Sequence, residues 1–523
     1  MKKIILLFAL FFSAFSFAQV TKLSTLSSSK FLDSRIIYED NNEDIYGYLL
    51  LFEKNKANKD THELEYVLLD KNLNKVGSNT FNQSQYSSMW VDLKTSIYFA
   101  KKNKDNIYIS IADIMPQFQD FYDILGVPGY RVINLKDLKI SDQFYLHNFS
   151  LEKQVKEKLE RKDFKDFKYI KPTKNNGFIV FDETGEAASM RFFMKKNSEL
   201  KDIKQFRFFD MDFNQKWVYN YNQNSDKSFY QYLYFTGDKN DMIFKRYFYD
   251  KPSDSDLDVS YEVIDSENGK KKFDFTLANK ENILVLDNIQ FQANKIVVFA
   301  SVYDYNEKGE YKFDKKRGYA KIVYDRQTGK ELTKDYFRWE SLAGKLDINE
   351  FGKVKDYGFI HFLEFDFTND GKVIVVGEGY KPEGSSKILD LFMFVLDDKM
   401  KLLSFNKVDK FKNKIDKVDA YGSFLEGIGA FDYMYSQKLP GGGYAFYYSD
   451  NEKLGNKARK DPNWILGVVT YVDGVFDYQK VPLTTKNGQI YPINAKNGYV
   501  LLREVSNDDK QKDSEIRLEK INY

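Results

Sequence analysis

The side chains able to do chemistry in this 523-residue chain are few in kind. There is no cysteine, so a thiolate nucleophile is ruled out. Histidine occurs three times, at His62, His147 and His361, far apart in sequence. His62-Glu63 is not followed by a second histidine one turn later, so the two-histidine zinc pattern of metalloproteases fails. No Gly-x-Ser-x-Gly elbow and no phosphate-cradling glycine loop is present. Asp254-Ser255-Asp256-Leu257-Asp258 starts like a calcium loop, but Val259 stands where the sharp turn needs glycine. It reads as a solvated acidic loop. No cofactor, no metal ligand and no catalytic residue is therefore assigned, and each histidine reads as a surface or strand residue.

Paired carboxylates are the one enzymatic device that the sequence leaves open. A glycosidase needs two of them about 5 to 10 Å apart, drawn from anywhere in the chain, and 77 acids are present. Glu426 and Asp432 flank Gly427-Ile428-Gly429-Ala430, with Tyr421, Phe424, Phe431 and Tyr433 around them. Small residues beside aromatic ones would let a sugar ring approach. The preferred plainer reading is tight packing of an inner strand, where glycine lets neighbouring sheets converge. Trp90, Trp339 and Trp464 could be stacking platforms; buried packing between sheets is again preferred. The candidate binding set is Tyr421, Glu426, Asp432, Tyr433, Trp90 and Trp339.

The elements that would position these residues repeat. His361 to Val408 reads strand, turn, strand, loop, strand, turn, strand, with turns at Thr368–Lys372 and Asp397-Asp398-Lys399. Short apolar runs bounded by Asn, Asp and Gly are strands joined by hairpins. Two kinds of turn alternate along the chain. One is a polar turn before an apolar strand, as at Asn175-Asn176-Gly177. The other is a strand ending in Asp followed by Lys, as from Ala320 to Lys330. Turns of the first kind recur at a loose period of about 55 to 76 residues. That spacing predicts about eight (seven to eight) four-stranded antiparallel units stacked around an axis, a β-propeller. Two unrelated β-sandwiches are the alternative.

The last unit, Gln489–Ile521, holds only three strands, and Val20-Thr21-Lys22-Leu23 is left over. The N-terminal segment is expected to join the C-terminal blade and close the ring. A short helical insertion is expected at Leu151–Arg161, a helical turn at Met115–Leu125, and a surface loop at Tyr305–Lys316. Both kinds of hairpin turn fall at one end of the ring and the longer connections at the other.

Lys2 and Lys3, the apolar run Ile4–Phe12 and Ser16-Phe17-Ala18 make residues 1–18 a secretory signal peptide. Residues 19–523 are then one propeller domain, exported to the periplasm or the outside of a bacterium, with no membrane span after cleavage. Without the two leader lysines the chain carries 77 basic and 77 acidic residues, so no global field favours nucleic acid.

The hairpins Ile322-Val323-Tyr324-Asp325 with Gly329-Lys330, and Val395-Leu396-Asp397 with Lys401, resemble the blades of secreted bacterial β-propeller proteins. The resemblance implies an all-β propeller and carries no family's functional residues with it. The expected function is a non-enzymatic binding module for an unknown protein or glycan. A carbohydrate-active hydrolase or lyase with carboxylates at the channel mouth, and a structural cell-envelope component, are the alternatives.

Overall fold

A computed structural model describes residues 19–41, 43–58, 61–84, 94–114, 129–145, 169–183, 204–221, 229–249, 258–277, 282–305, 311–355, 357–415, 418–450, 453–454, 457–458, 465–483, 488–506 and 514–522. The leader at 1–18, the expected helices at Leu151–Arg161 and Met115–Leu125, and His147, Trp90 and Trp464 lie outside the described residues.

Each unit is apolar on both faces, and this decides the architecture. In the second strand of the first unit, Tyr48, Leu49, Leu50, Leu51 and Phe52 are all buried. Side chains alternate across a strand, so a continuous apolar run has to be covered on both sides. Tyr48, Leu50 and Phe52 pack with Leu501 and Leu518 of the last unit. Leu49 and Leu51 pack with Ile97, Ile107 and Ile109 of the second. The same alternation recurs around the molecule. Eight inter-sheet cores lie between eight successive pairs of sheets, and the last returns to the first. The protein is an eight-bladed, all-β propeller.

Blades 1 to 7 span residues 30–84, 94–145, 169–220, 229–275, 283–338, 353–415 and 433–482. Blade 8 combines residues 488–520 with the N-terminal strand Gln19–Lys22. In blades 1 to 7 the main strands run in sequence order from the axis outward, in blade 8 the N-terminal strand is added outside the last three, and all these pairings are antiparallel. The first strands of neighbouring blades touch, as Lys30–Tyr38 does Lys94–Asn103 and Gly358–Phe367 does Tyr433–Lys438. They therefore surround the central channel.

Six of these inner strands carry a bulge. The extra residue is Leu32, Tyr98, Phe235, Leu363 or Met434 in five of them, and Asp287 in blade 5. A bulge bends its strand and re-aims one side chain. Here it aims a carboxylate where the other blades place an apolar group.

The ring closes where the sequence reading placed it. Gln19 pairs with Leu518, Val20 with Arg517, Thr21 with Ile516 and Lys22 with Glu515, completing blade 8 on its outer edge. The expected strand included Leu23, which instead opens a short helix, α1 (Leu23–Leu26). Leu23 and Leu26 are buried between blades 8 and 1, so burial outweighs continuation of the ladder there. A second correction concerns Tyr305–Lys316, expected as a surface loop. The third strand of blade 5 begins at Tyr311 and runs to Asp325, which places Lys316 in the sheet.

Deleting Val20–Leu23 should cost about 3 kcal/mol or more, from one buried leucine and four residues of ladder. A melting temperature lowered by several degrees in calorimetry would show it; an unchanged melt would mean that the ring does not depend on this strand.

Candidate functional site

One group of buried titratable side chains lies where blades 5, 6 and 7 meet. They come from three sources. The inner strand of blade 5, Ile283–Gln292, supplies Asp287 from its bulge. The inner strand of blade 6, Gly358–Phe367, supplies His361, Glu364 and Asp366. The connection from blade 6 to blade 7 supplies Glu426 from a second short helix, α2 (Gly422–Gly427).

That helix is seated by Leu425, which is fully buried with Tyr380 and Ile388. Its first residue presses on the imidazole of His361. A Cβ added to Gly422 would lie 2.5 Å from Nδ1, so only glycine fits there. On the far side of α2, Phe431 stacks on the same ring, with centroids 5.6 Å apart and planes 13° from parallel.

His361 is thus clamped, and its two nitrogens are both engaged. Nε2 lies 2.7 Å from Glu426 Oε2. Nδ1 lies 3.2 Å from Lys316 Nζ. An ammonium can only donate, so Nδ1 accepts and Nε2–H donates to Glu426. Burial and the adjacent Lys316 charge hold the imidazole pKa well below its ordinary value, and the ring is neutral. Lys316 is buried, and its Nζ also donates to Tyr319 Oη at 3.0 Å. Burial lowers the Lys316 pKa to about 8, against the pull of Asp287 and Glu426.

Asp287 accepts from Ser301 Oγ at 2.8 Å. It is partly exposed by area yet enclosed by the blades around it; burial pushes its pKa up to about 7, with Lys316 opposing. Glu364 accepts from Tyr433 Oη at 3.4 Å, and burial, helped by Asp366, pushes it up to about 7. Burial raises Asp366 to about 6, and its Oδ2 is buried without a hydrogen-bond partner. The Glu426 carboxyl is raised by burial and lowered by Lys316, although half its side-chain area is exposed. The charge of Glu426 adds to the rise at both Asp287 and Glu364.

A second cluster lies behind the first and is fully enclosed. Lys410 Nζ bridges Glu378 at 2.8 Å and Asp432 at 2.7 Å, with all three side chains 0% exposed. Asn413 donates to Asp432, and the backbone N–H groups of Asp432 and Tyr433 donate to Glu378. Burial pushes Glu378 up while Lys410 pulls it down. Glu378 and Asp432 hold the Lys410 ammonium above its usual range despite burial. This cluster fastens the start of blade 7 to blade 6.

The sequence-derived set is therefore divided. Glu426 belongs to the mouth and Asp432 to the enclosed cluster, so they do not form a carboxylate pair. Tyr433 meets Glu364, and Tyr421 caps α2 and packs edge-on against Phe359. Trp339 is 1% exposed, with Nε1 donating to the Lys316 carbonyl at 2.9 Å, so it offers no stacking platform. Gly427 and Gly429 are not in an inner strand: a Cβ at either would meet nothing within 4 Å. The preferred reading of close sheet packing there is corrected to an open connection. Asp287, Lys316, Glu364 and Glu378 were not singled out, because isolated charges within strands give no spacing signal. Among the described residues, no group of three or more His, Asp or Glu is arranged to hold a metal ion.

Two stability predictions follow from this geometry. Lys410→Met leaves two buried carboxylates without their counter-ion and should cost about 3–5 kcal/mol, read by urea denaturation. Glu364 binds its proton more tightly folded than unfolded, so its contribution is full below its ordinary pKa and lost as pH rises through about 7. Glu364→Gln should accordingly melt close to wild type at pH 5 and above it at pH 8. Equal differences at both pH values would refute the assigned shift.

A model of a family of unknown function, DUF6770, matches residues 137–396. No curated protein matches this sequence. Among solved structures, this chain is similar to a prolyl endopeptidase at 9% identity and TM-score 0.35, over 92% of this chain and 55% of the other. The chain thus spans little more than half the length of that enzyme. It is also similar to the β-propeller domain of the Trilobed protease from Pyrococcus furiosus, at 10% identity and TM-score 0.32, over 88% and 97%. A third likeness is to an α-L-arabinofuranosidase from Fusarium graminearum, at 8% identity and TM-score 0.29, over 67% and 91%.

Proposed function

We propose that this protein is an exported, non-enzymatic binding propeller whose ligand site is the mouth formed by blades 5, 6 and 7. The observation that carries the reading is the placement of Asp287 and Glu364 on the adjacent inner strands of blades 5 and 6, with Glu426 held 2.7 Å from His361 of the same strand as Glu364. Aromatic residues Phe431 and Tyr433 border it. Carboxyl oxygens beside aromatic faces suit a ligand rich in hydroxyl donors, and a glycan is the class that fits best. The leader read from residues 1–18 supports export.

Carboxylate-based hydrolysis is the second reading. Glu364 favours it, because a carboxyl raised to about 7 keeps a proton to give at neutral pH. Titration of soluble oligosaccharides by calorimetry tests both. Binding should weaken at least about tenfold, or about 1.4 kcal/mol, in the Glu364→Gln, Phe431→Ala double variant. Equal affinity of the variant would move the ligand elsewhere on the ring, and cleavage of the bound glycan would favour the hydrolase.

A further inference from the structure

We propose that Lys316 is a nucleophilic amine, set up by His361 and Glu426, that takes an aldehyde or ketone as an imine. A nucleophile within hydrogen-bond reach of a base, with the base oriented by a third group, is the arrangement that activates side chains for covalent chemistry. Here Nζ lies 3.2 Å from Nδ1, and Nε2 lies 2.7 Å from Glu426. Three independent contacts fix the imidazole between them: the close approach of Gly422, the stacked Phe431 and the Glu426 carboxyl. Lys316 is fixed in turn. Its carbonyl accepts from Trp339, and its ammonium lies 4.7 Å from the Tyr319 ring centroid and 5.7 Å from that of Tyr303.

A purely structural lysine would need only a carboxylate, as Lys410 has in the neighbouring cluster. Lys316 instead has a neutral ring as its direct partner, and that ring connects it to a half-exposed carboxyl. The arrangement is a relay from a buried nitrogen to water. A proton passes from Nζ to Nδ1 as Nε2–H passes to Glu426, and Glu426 releases its own to solvent. The free amine lone pair then attacks the carbonyl carbon. A C–N bond forms, the carbonyl electrons move to oxygen, and the oxygen leaves as water with both amine hydrogens. Burial lowers the proton affinity of Nζ, so the free amine is present near neutral pH; Asp287, Glu426, Tyr303 and Tyr319 are titratable groups that face the Lys316–His361 pair. Capture of this kind requires no turnover and does not depend on the mouth binding a glycan, so the oligosaccharide titration and the labelling below can fail separately.

The test uses the full chain with propanal as the carbonyl probe and sodium cyanoborohydride to reduce the imine, followed by peptide mass spectrometry. Exposed Lys399 is the internal reference. At pH 7, Lys316 should be modified at least about 10-fold faster than Lys399, because an ordinary lysine is almost wholly protonated there. Its rate should reach half-maximum near pH 8. Glu426→Gln removes an anion that holds the proton on Nζ, so the half-maximum should move to lower pH. Lys316→Arg, with folding confirmed by circular dichroism, should remove the adduct from that peptide. Lys316 left unmodified while Lys399 reacts would overturn the proposal, as would a Glu426→Gln profile superimposable on wild type.

Discussion

Everything in this molecule depends on sheets that are apolar on both faces. A four-stranded sheet with one wet face can end a domain; one with two dry faces needs a neighbour on each side. Stacking satisfies all but the two terminal sheets, and only closure satisfies those. The cost of leaving one pair of faces open can be read from the contact between blades 8 and 1. There Leu23, Phe31, Leu50, Phe52, Leu501 and Leu518 are nearly inaccessible. At about 25 cal/mol per Å² of apolar area, uncovering several such side chains would consume most of the stability typical of a folded protein. The four-residue strand from the N-terminus therefore matters less for its own ladder than for the core that it helps to hold shut.

Closure also explains where charge is tolerated. Near the axis the inner strands converge, and their side chains are surrounded by protein while still reached by water. A carboxyl placed there is desolvated without a hydrophobic partner to replace, which is why Asp287, Glu364 and Asp366 hold their protons so strongly. Farther from the channel the same charge would be untenable alone. Glu378 and Asp432 sit there only because Lys410, Asn413 and two backbone N–H groups satisfy them. The two clusters are thus one physical rule applied at two depths. The enclosed cluster fixes blade 7 against blade 6, and by doing so it fixes the frame in which the mouth is built.

How much of this was legible in the sequence follows from the range of each interaction. Hairpin chemistry is local, so the turns around Asn369-Asp370-Gly371 and Asp397-Asp398-Lys399 marked their strands and gave the repeat. The missing strand could be inferred because three strands in the final unit leave an unpaired edge. The site was only half legible. Glu426 stood out through its Gly-rich neighbours, yet those glycines belong to an open connection and not to a strand. Asp432, six residues away, turned to a different partner. His361 had no histidine near it, and its real partners lie 45 and 65 residues away in sequence. Lys316 was hidden by a run of charges, Asp314-Lys315-Lys316-Arg317, that reads as a loop. A register shift at Arg317 breaks the period-2 alternation and sets Lys316 over the Tyr319 ring, three residues on, while Lys315 and Arg317 both rest on the Phe351 ring.

The bulge at Asp287 shows how such a fold can acquire a site at little cost to itself. Six inner strands share the irregularity, and five of them fill it with an apolar or aromatic residue. The irregularity is therefore a feature of how these blades turn toward the axis, present whether or not a charge occupies it. Putting an acid at one of six such bulges leaves the pairing pattern of the strand as it is and alters what the channel wall presents. The neighbouring blade then needs no new backbone to answer it. Lys316 and His361 stand on strands of the blades themselves, each near a register shift, and a short helix in the connection between blades 6 and 7 brings Glu426 to the His361 ring. The group around His361 is a local asymmetry in a repeated structure, and it falls on blades 5, 6 and 7 because the connection that carries Glu426 lies between the last two.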